Sequence, residues 1–382
     1  MTDRTAAPGE PTFSQGPVSD EDYAAIDSII DWDLAVRTAT RLMKPGPEVS
    51  RDEAAQVVGQ LRRFASESTA HVGATTGLHA VPGEGVLVVD RPGWAKVNVG
   101  SFRTVLAPAV AHGLRRRPRA TNPLTLAVGS RVTGAEVGSL LSFLGSRVLG
   151  QFDVFGEPQP RADGSGPGYG RLLLVAPNVV QVERELGVDP GDFRLWVCLH
   201  EETHRVQFAA TPWLREHLLA RSRSLTSDML GDPGAFLERL SRGLAQLPDL
   251  LRGDDGTGLV DLVQTPEQRA LLAEVTAVMS LLEGHADVVM DEVGPQVIPS
   301  VAVIRERFTR RRAGRGSADR LLRRLLGIDA KMKQYADGAV FVRGVVKEVG
   351  MDGFNRVWTA PETLPQPTEI SDPSAWVRRV HG

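Results

Sequence analysis

The segment FRLWVCLHEETHRVQFAATPW, residues 193–213, restricts the fold of this chain more than any other stretch. Its apolar side chains are numerous enough to predict a core helix rather than a surface helix. They are Phe193, Trp196, Val197, Leu199, Val206 and Phe208. The middle of the same helix carries His200, Glu201 and His204, and polar groups inside a core are costly unless they form hydrogen bonds or bind a metal. The fold must therefore bury this helix and also supply partners for its polar residues.

The spacing of these polar residues fits a metal site. Residues four apart lie on one face of a helix, about one turn from each other, so His200 and His204 point the same way. A zinc ion requires that arrangement from two imidazoles, and Glu201 can then reach a water at the metal as general base. The alternative is that H-E-x-x-H arises by chance. A chance charged motif falls more often on a solvated face than on a core helix, so the pattern favours zinc.

Two histidines do not complete a catalytic zinc site, so a third ligand must come from elsewhere in the chain. The segment LLAEVTAVMSLLEGHADVVMDEVG, residues 271–294, is a second strongly apolar helix. At helical spacing it carries the polar residues Thr276, Ser280, Glu283 and Asp287. This polar stripe either faces a metal or forms an internal polar network, and the spacing alone leaves both open.

The composition limits the kinds of partner and cellular compartment that we expect for this chain. Lys and Arg total 44 against 47 Asp and Glu, which gives a formal net charge of -3 and makes nucleic acid an unexpected partner. The single cysteine, Cys198, excludes an internal disulfide framework and agrees with a reducing compartment. The N-terminal residues lack a signal-peptide pattern, and no run of 18 uncharged apolar residues follows. We therefore expect a cytoplasmic protein that does not span a membrane; its oligomeric state is left open.

Two basic runs qualify the expectation about nucleic acid. They are GLRRRPR at 113–119 and RERFTRRRAGRGSADRLLRR at 305–324. The two runs together contain a single aromatic residue, Phe308, rather than a repeated alternation of aromatic and basic residues. A solvated basic face is therefore the favoured interpretation, and nucleic-acid binding is the alternative.

The order of elements predicts a mainly α fold of the α+β kind, with a small sheet. About nine helical segments are indicated, and the best strand candidates are GVLVVD at 85–90 and RLLLVAP at 171–177. Residues 1–18, rich in Pro, Gly, Ser and Thr, predict a disordered tail. The loop GEPQPRADGSGPGYG at 156–170 separates a helical region 19–155 from a region 156–382, although one continuous domain 19–382 fits equally well.

Helix starts are indicated by residues whose side chains cap the first turn. Ser50 with Glu53, Thr133 with Glu136, and Thr265 with Gln268 have the capping-box spacing. Pro190 and Pro266 each occupy a first helical position, where the missing N–H costs nothing.

The chain also resembles known proteins. His200-Glu201-x-x-His204 followed by Glu283-Gly284-x-Ala286-Asp287 is similar to the gluzincin branch of zinc metallopeptidases. More closely, the chain resembles a bacterial family of predicted hydrolases that are zinc-dependent metalloprotease-like and sometimes associated with the biosynthesis of a deazaflavin coenzyme. This resemblance covers about residues 29–380 and implies a multi-helix zincin-like core. It is carried by the stretches DWDLAVRTATRLMKPGP, RVLGQFDVF, GRLLLVAPNV and VWTAPETLP.

The gluzincin resemblance implies roles for residues of the second helix. Glu283 corresponds to the third zinc ligand, and Asp287 to an acid that supports a zinc-bound histidine by accepting its free ring N–H. One departure is the long stretch between His204 and Glu283, which exceeds that of thermolysin-like peptidases. Tyr335 could be the phenol that many zincins direct at the developing oxyanion, with ordinary packing as the alternative.

His285 is the chemically acceptable competitor of Glu283, because three-histidine zinc sites are well precedented. Two positions along a helix correspond to about 200° of rotation, so the two side chains point to opposite sides. Glu283 shares its face with Asp287 and the polar stripe, whereas His285 shares its face mainly with apolar residues. We therefore predict Glu283 as the ligand.

These observations predict a zinc-dependent hydrolase of gluzincin type that acts on a peptide or another amide. The alternative is a zincin-like scaffold that binds a partner or small molecule without turnover; the presence of Glu201 favours the enzyme. The insertion at residues 211–266 lies between the two metal helices, so we expect it to wall or cover the cleft.

Overall fold

The computed structural model describes residues 18–80, 85–116, 123–156, 159–160, 167–168, 170–231, 265–313 and 328–382. Residues 1–17 of the expected tail and most of the loop expected at 156–170 lie outside these ranges. Across the described ranges the chain is mainly α-helical with a small sheet, as predicted from the sequence.

Twelve α-helices lie in the described ranges, more than the nine that the sequence indicates. They are α1 Asp20–Asp27, α2 Trp32–Leu42, α3 Arg51–Thr76, α4 Arg91–Arg116, α5 Pro123–Gly145, α6 Ala176–Leu186, α7 Pro190–Ala210, α8 Pro212–Gly231, α9 Pro266–Val297, α10 Val301–Ala313, α11 Ile328–Phe354 and α12 Pro373–His381. Short 3-10 helices follow α11 at Asn355–Trp358, Pro361–Thr363 and Glu369–Ser371.

A three-stranded sheet accompanies the helices. Its strands β1 Val86–Val89, β2 Gly150–Asp153 and β5 Arg171–Val175 have the order β1-β5-β2. β5 is parallel to β1 and antiparallel to β2. A two-residue pair, β3 Gln159–Pro160 and β4 Pro167–Gly168, forms a separate antiparallel ladder. Both predicted strands are confirmed, and β2, which was not predicted, is the edge strand beside the site described below.

The sheet joins the two regions that the sequence suggested as separate. β1 belongs to the region 19–155 and pairs along its length with β5 from the region 156–382. One continuous domain 19–382 would contain such a shared sheet, so the division into two regions at the loop stays a prediction.

The predicted helix starts are confirmed at three positions. The Ser50 hydroxyl accepts a hydrogen bond from the Glu53 backbone N–H at 3.1 Å. Thr265 and Gln268 form a complete capping box at the start of α9, and Asp189 caps α7. The prediction at Thr133 is wrong. Thr133 lies inside α5, where its hydroxyl donates to the Gly129 carbonyl, because the apolar run before it continues the helix.

The helix α7 lies in the core, as its apolar composition predicts. It packs against α3, α6, α9, β2 and β5. Buried residues of α3, β5, α6, α7 and α9 form one continuous apolar cluster. The side chains that α7 contributes to it include Phe193 and Leu199, neither of which has exposed surface. The helix is therefore held on several sides, which fixes the direction of its polar residues.

Close packing of α9 against α11 sets the position of the second polar helix. A side chain at Gly284 would place its Cβ 2.2 Å from the Gly338 carbonyl carbon, and one at Gly338 would lie 1.9 Å from the Ser280 carbonyl oxygen. The two backbones approach each other more closely than any larger residue would permit. Glycine at these two positions thus fixes α9, and with it the adjacent Glu283.

Candidate metal centre

His200, His204 and Glu283 come together where α7 faces α9. The Nε2 atoms of the two histidines are 3.2 Å apart. The carboxylate oxygens of Glu283 lie 3.6 Å from His200 Nε2 and 3.7 Å from His204 Nε2. Within the described part of the chain, these three residues form the one group of His, Cys, Asp or Glu side chains that could hold a metal ion, with all ligand atoms within 4.8 Å.

The spacing of these atoms fits zinc. A tetrahedral zinc ion with bonds of about 2.0–2.2 Å holds its ligand atoms roughly 3.3–3.6 Å apart. The three observed separations, 3.2, 3.6 and 3.7 Å, lie close to that range. Two imidazoles and one carboxylate form a three-ligand set typical of catalytic zinc, which keeps its fourth position open. The donor set therefore fits the ion that the sequence predicts.

Glu201 lies beside this group and is held there by the edge strand. Its side chain is buried, and burial, followed by the negative charge of Glu283, raises its pKa well above the usual range. A side chain at Gly150, the first residue of β2, would place its Cβ 2.5 Å from Glu201 Cγ. Only glycine leaves room for the carboxylate at this position. Gly150 was not predicted as a site residue; the short apolar stretch QFDVF that follows it was the available signal.

A relay of hydrogen bonds supports His204 from behind. The ring nitrogen Nδ1 of His204 lies 2.9 Å from Gln207 Oε1. The amide nitrogen of Gln207 lies 2.9 Å from both the Leu282 carbonyl oxygen and His285 Nδ1. Gln207 and His285 are fully buried. His285 thus contacts the site through Gln207, on the side of α9 away from Glu283, and sequence reasoning did not assign Gln207 a role.

The other predicted site residues have mixed outcomes. Asp287 is half-exposed, and its Oδ1 atom lies 3.7 Å from Arg305 Nη1, so its support of a zinc-bound histidine stays a prediction. The Tyr335 side chain lies outside the described residues. The polar stripe on α9 divides: Glu283 faces the site, whereas the Thr276 hydroxyl donates to the Leu272 carbonyl of its own helix.

A cavity of about 560 Å³ extends from the metal-binding group. Its walls come from α4, β2, the residues after β2, α7, α8 and α9. Apolar side chains form most of the lining away from the histidines; examples are Phe102, Val105, Phe152, Phe208, Leu218 and Met279. The cavity therefore has a polar end at the two histidines and an apolar body.

One polar cluster also lines this cavity. Asp153, at the end of β2, is buried and accepts a hydrogen bond from the Ser101 hydroxyl of α4. The Arg171 guanidinium lies 3.5 Å from its other carboxylate oxygen. Gly156 is needed beside this carboxylate, since a Cβ there would lie 2.4 Å from Asp153 Oδ2. The charge of Asp153 is thus compensated by Arg171 within the wall.

The start of the predicted insertion reaches the cavity. Leu218 of α8 lines it, and the Arg215 guanidinium donates to the Val154 carbonyl at 2.9 Å. This part of the insertion walls the cleft, as expected. Residues 232–264 lie outside the described ranges, so cover by the remainder stays a prediction.

The opposite face of α7 carries charges of a different kind. Glu202 is buried and accepts hydrogen bonds from the Arg205 guanidinium, at 2.8 Å from Nε, and from the Thr69 hydroxyl at 2.8 Å. About two turns earlier, Arg194 forms an equally buried ion pair with Glu183 of α6. These charges are neutralised within the protein and tie α7 to α3 and α6.

Among the described residues, no helix combines the length and apolar character that crossing a membrane requires.

Comparison with known proteins gives a matching family and a similar solved structure. The family described as zincin-like metallopeptidases matches residues 30–377. A crystal structure of a provisionally assigned hydrolase with a novel fold from Chloroflexus aurantiacus is 30% identical in sequence. The alignment covers 92% of this chain and 99% of that one, with a TM-score of 0.62. The search of curated proteins gives no match.

Proposed function

Because the chain belongs to the zincin-like metallopeptidase family, we propose that it is a zinc-dependent hydrolase that cleaves a peptide or another amide. His200, His204 and Glu283 would hold the ion, and Glu201 would act as general base. The observation that carries the proposal is the convergence of three ligand atoms within 4.8 Å, with a buried carboxylate on the next residue. The gluzincin arrangement itself, with the third ligand on a later helix, is part of the proposal.

The chemistry divides between the ion and the protein. When bound, zinc supplies a Lewis acid that lowers the pKa of water and polarises a carbonyl. Glu201 accepts a proton from the attacking water on its carboxylate oxygen while the water oxygen bonds to the amide carbon. The carboxyl then delivers that proton to the amine nitrogen as the carbon–nitrogen bond breaks. In the metal-free protein, burial and then the negative charge of Glu283 raise the pKa of Glu201.

Gly150 positions Glu201, and α9 positions Glu283. The backbone of β2 packs against the Glu201 side chain, and no larger residue fits between them. The rigid contact of α9 with α11 places Glu283 opposite the two histidines. His200, Glu201, His204 and Glu283 thus lie on two packed helices, α7 and α9, which limits their freedom before substrate arrives.

A scaffold that binds without turnover is the alternative function. It would need the ligands for its metal but not a buried carboxylate beside them, so the placement of Glu201 supports the enzyme. Nucleic-acid binding through residues 305–324 was the other alternative. It predicts a steep dependence of affinity on salt, and a titration with DNA or RNA would detect it.

The direct test is digestion of a peptide library by the zinc-loaded protein, with mass spectrometry of the products. We expect cleavage that a chelator abolishes and added zinc restores. Glu201→Gln should bind zinc and lack this activity. Absence of cleavage by a protein that carries stoichiometric zinc would favour the scaffold.

A further inference from the structure

The cavity has a strong contrast between its two ends. The polar end holds His200, His204, Glu201 and Glu283, which the proposed function already uses. The body beyond it is lined mainly by aromatic and aliphatic side chains of α4, β2, α7, α8 and α9, together with the polar residues Asn98, Ser101, Gln151 and Asp153. Its volume of about 560 Å³ lies within the ~300–1,000 Å³ of sites that enclose small organic groups.

We infer that this cavity accepts a large uncharged apolar group attached to the amide that is cleaved, either a peptide side chain or an acyl chain. The inference rests on the proposed function, since it names the substrate class of the same site. The apolar body adjoins the histidines, so a group that enters it is carried on the part of the substrate next to the reacting carbonyl.

The charges in the lining support this selectivity. Apart from the metal-binding group and Glu201, Asp153 is the charged residue among the lining residues. Its carboxylate already receives the Ser101 hydroxyl and faces Arg171 at 3.5 Å. A charged substrate group would therefore lose its hydration without gaining a counter-charge, which is strongly unfavourable. An apolar group gains free energy in proportion to the area that it buries.

A series of hydroxamates tests the inference without relying on turnover, because each binds zinc through the same group. We would measure the affinity of the zinc-loaded protein for four of them: acetohydroxamate, 3-phenylpropionohydroxamate, octanohydroxamate and 6-aminohexanohydroxamate. We expect at least one of the two apolar compounds to bind roughly 10- to 100-fold more tightly than acetohydroxamate. The cationic compound should gain nothing over acetohydroxamate.

The pattern of affinities separates the sources of the apolar group. A preference for the phenyl compound indicates a peptide side chain, and a preference for the octanoyl compound indicates an acyl chain. Equal affinity for all four compounds, or a preference for the cationic one, would overturn the inference. Retained preference with no hydrolysis of any library peptide or N-acyl amide would instead overturn the proposed function alone. Failure of all four to bind the zinc-loaded protein would overturn both.

A matched pair of variants locates the effect in the cavity. Val105→Asp introduces a carboxylate into the apolar lining of α4, whereas Val132→Asp makes the same change on the exposed surface of α5. We expect Val105→Asp to lower the ratio between the affinities for the preferred apolar compound and for acetohydroxamate at least 10-fold. Val132→Asp should behave as wild type. Equal effects of both variants would contradict the assignment of the cavity.

A second inference comes independently from the relay behind His204. We propose that Gln207 and His285 are positioning residues that hold His204 in the tautomer suited to metal binding. If His204 binds the ion through Nε2, its Nδ1 atom carries the proton and donates to Gln207 Oε1 at 2.9 Å. Gln207 can present its oxygen there because its amide nitrogen faces two acceptors, the Leu282 carbonyl and His285 Nδ1. Such outer partners orient ligands and tune metal affinity.

Zinc affinity, measured by competition with a chelator, tests these two residues. We expect Gln207→Leu to weaken zinc binding roughly 10- to 100-fold. His285→Phe, which keeps the aromatic stacking on Phe354, should weaken it less. The matched control is Thr203→Val, a buried residue of α7 whose hydroxyl donates within its own helix to Leu199.

Thermal unfolding of the metal-free variants separates positioning from a purely structural role. Zinc affinity should fall for Gln207→Leu and His285→Phe and stay at the wild-type value for Thr203→Val, whatever the three melting temperatures are. Wild-type zinc affinity in both relay variants would overturn the proposal, even if their melting temperatures are lower.

Discussion

Glu201 and Glu202 are neighbours on α7, and both are buried, yet they face opposite environments. Glu202 points towards α3, where the Arg205 guanidinium and the Thr69 hydroxyl compensate its charge. Glu201 points towards the cavity, where the charge of Glu283 adds to the effect of burial and raises its pKa. On one face of the helix the Glu202 carboxylate is paired with an arginine. On the other face two carboxylates, those of Glu201 and Glu283, lie beside two imidazoles.

The comparison teaches how one helix combines a rigid support with a reactive site. A buried carboxylate that is matched by arginine holds the helix against its neighbours and has no tendency to react. A buried carboxylate beside another acid stores unfavourable electrostatic free energy, which a cation between them would relieve. The cavity face is thus suited to bind a metal ion, and the opposite face fixes the geometry of that site.

The largest expected effect is on catalysis and separates the two glutamates directly. Glu201→Gln should lower kcat by about 10²–10⁴, because a general base is lost while the ligands stay in place. Glu202→Gln should keep kcat within a few-fold of wild type in the folded fraction. Steady-state kinetics with a substrate from the library digest measures both. A Glu201→Gln variant with full activity would refute the mechanism.

The next largest effect is on stability. Here we expect the larger change at Glu202, whereas the larger change in kcat is expected at Glu201. Glu202→Leu leaves the Arg205 guanidinium buried without its carboxylate, so we expect the free energy of unfolding to fall by about 3–5 kcal/mol. The double variant Glu202→Leu with Arg205→Leu should recover most of that loss. Urea denaturation of the metal-free proteins provides the measurement. A single variant as stable as wild type would show that this face does not support the helix.

A smaller effect concerns the pH dependence of the metal-free protein. Burial, and then the charge of His204, lower the pKa of His285 from 6.5 to about 3. The unfolded chain therefore binds a proton between pH 6.5 and pH 3 that the folded chain excludes, so stability falls as the pH falls through this window. Between pH 7 and pH 5 we expect this residue to cost about 2 kcal/mol.

The variant His285→Phe isolates that contribution. Its free energy of unfolding should fall less than that of wild type by about 2 kcal/mol over the same two pH units, since phenylalanine does not titrate. Denaturant titrations at pH 7 and pH 5 measure the difference. Identical pH dependence in both proteins would contradict the burial of a neutral His285.

The smallest effect is expected at Cys198, on the face of α7 that is closed by α3. Its thiol has no exposed surface, contacts the Leu61 carbonyl, and has a pKa raised by burial. We expect native protein at pH 8 to resist alkylation by iodoacetamide, whereas urea-unfolded protein reacts fully. Mass spectrometry of the two samples gives the result. Rapid alkylation of the native protein would show that this face of the helix opens.

The sequence predicted the parts of the molecule that follow from local spacing. The helix α7 and its start at Pro190, the strands β1 and β5, and the convergence of His200 with His204 all depend on residues within a few turns of each other. Glu283 came from a family resemblance, supported by its position on the opposite side of α9 from His285.

The parts that were missed depend on contacts between distant segments. Gly150 matters because β2 packs against Glu201; the apolar stretch QFDVF after Gly150 is compatible with a strand but does not indicate that contact. Gln207 follows the motif by three residues, but its role requires His285 from another helix. The capping pattern at Thr133 was misleading because an earlier apolar run extends the same helix. Local patterns thus predict elements well, and packing decides which residues support the site.

The most direct test of the central claim is the zinc content of three purified proteins: wild type, Glu283→Ala and His285→Ala. With zinc supplied in slight excess and the unbound metal removed by gel filtration, we expect about one zinc ion per wild-type chain. Glu283→Ala should lose the metal, because two histidines alone hold it weakly, and His285→Ala should keep close to one equivalent. Retention of zinc by Glu283→Ala together with its loss from His285→Ala would contradict the account, since the ion would then lie on the other face of α9.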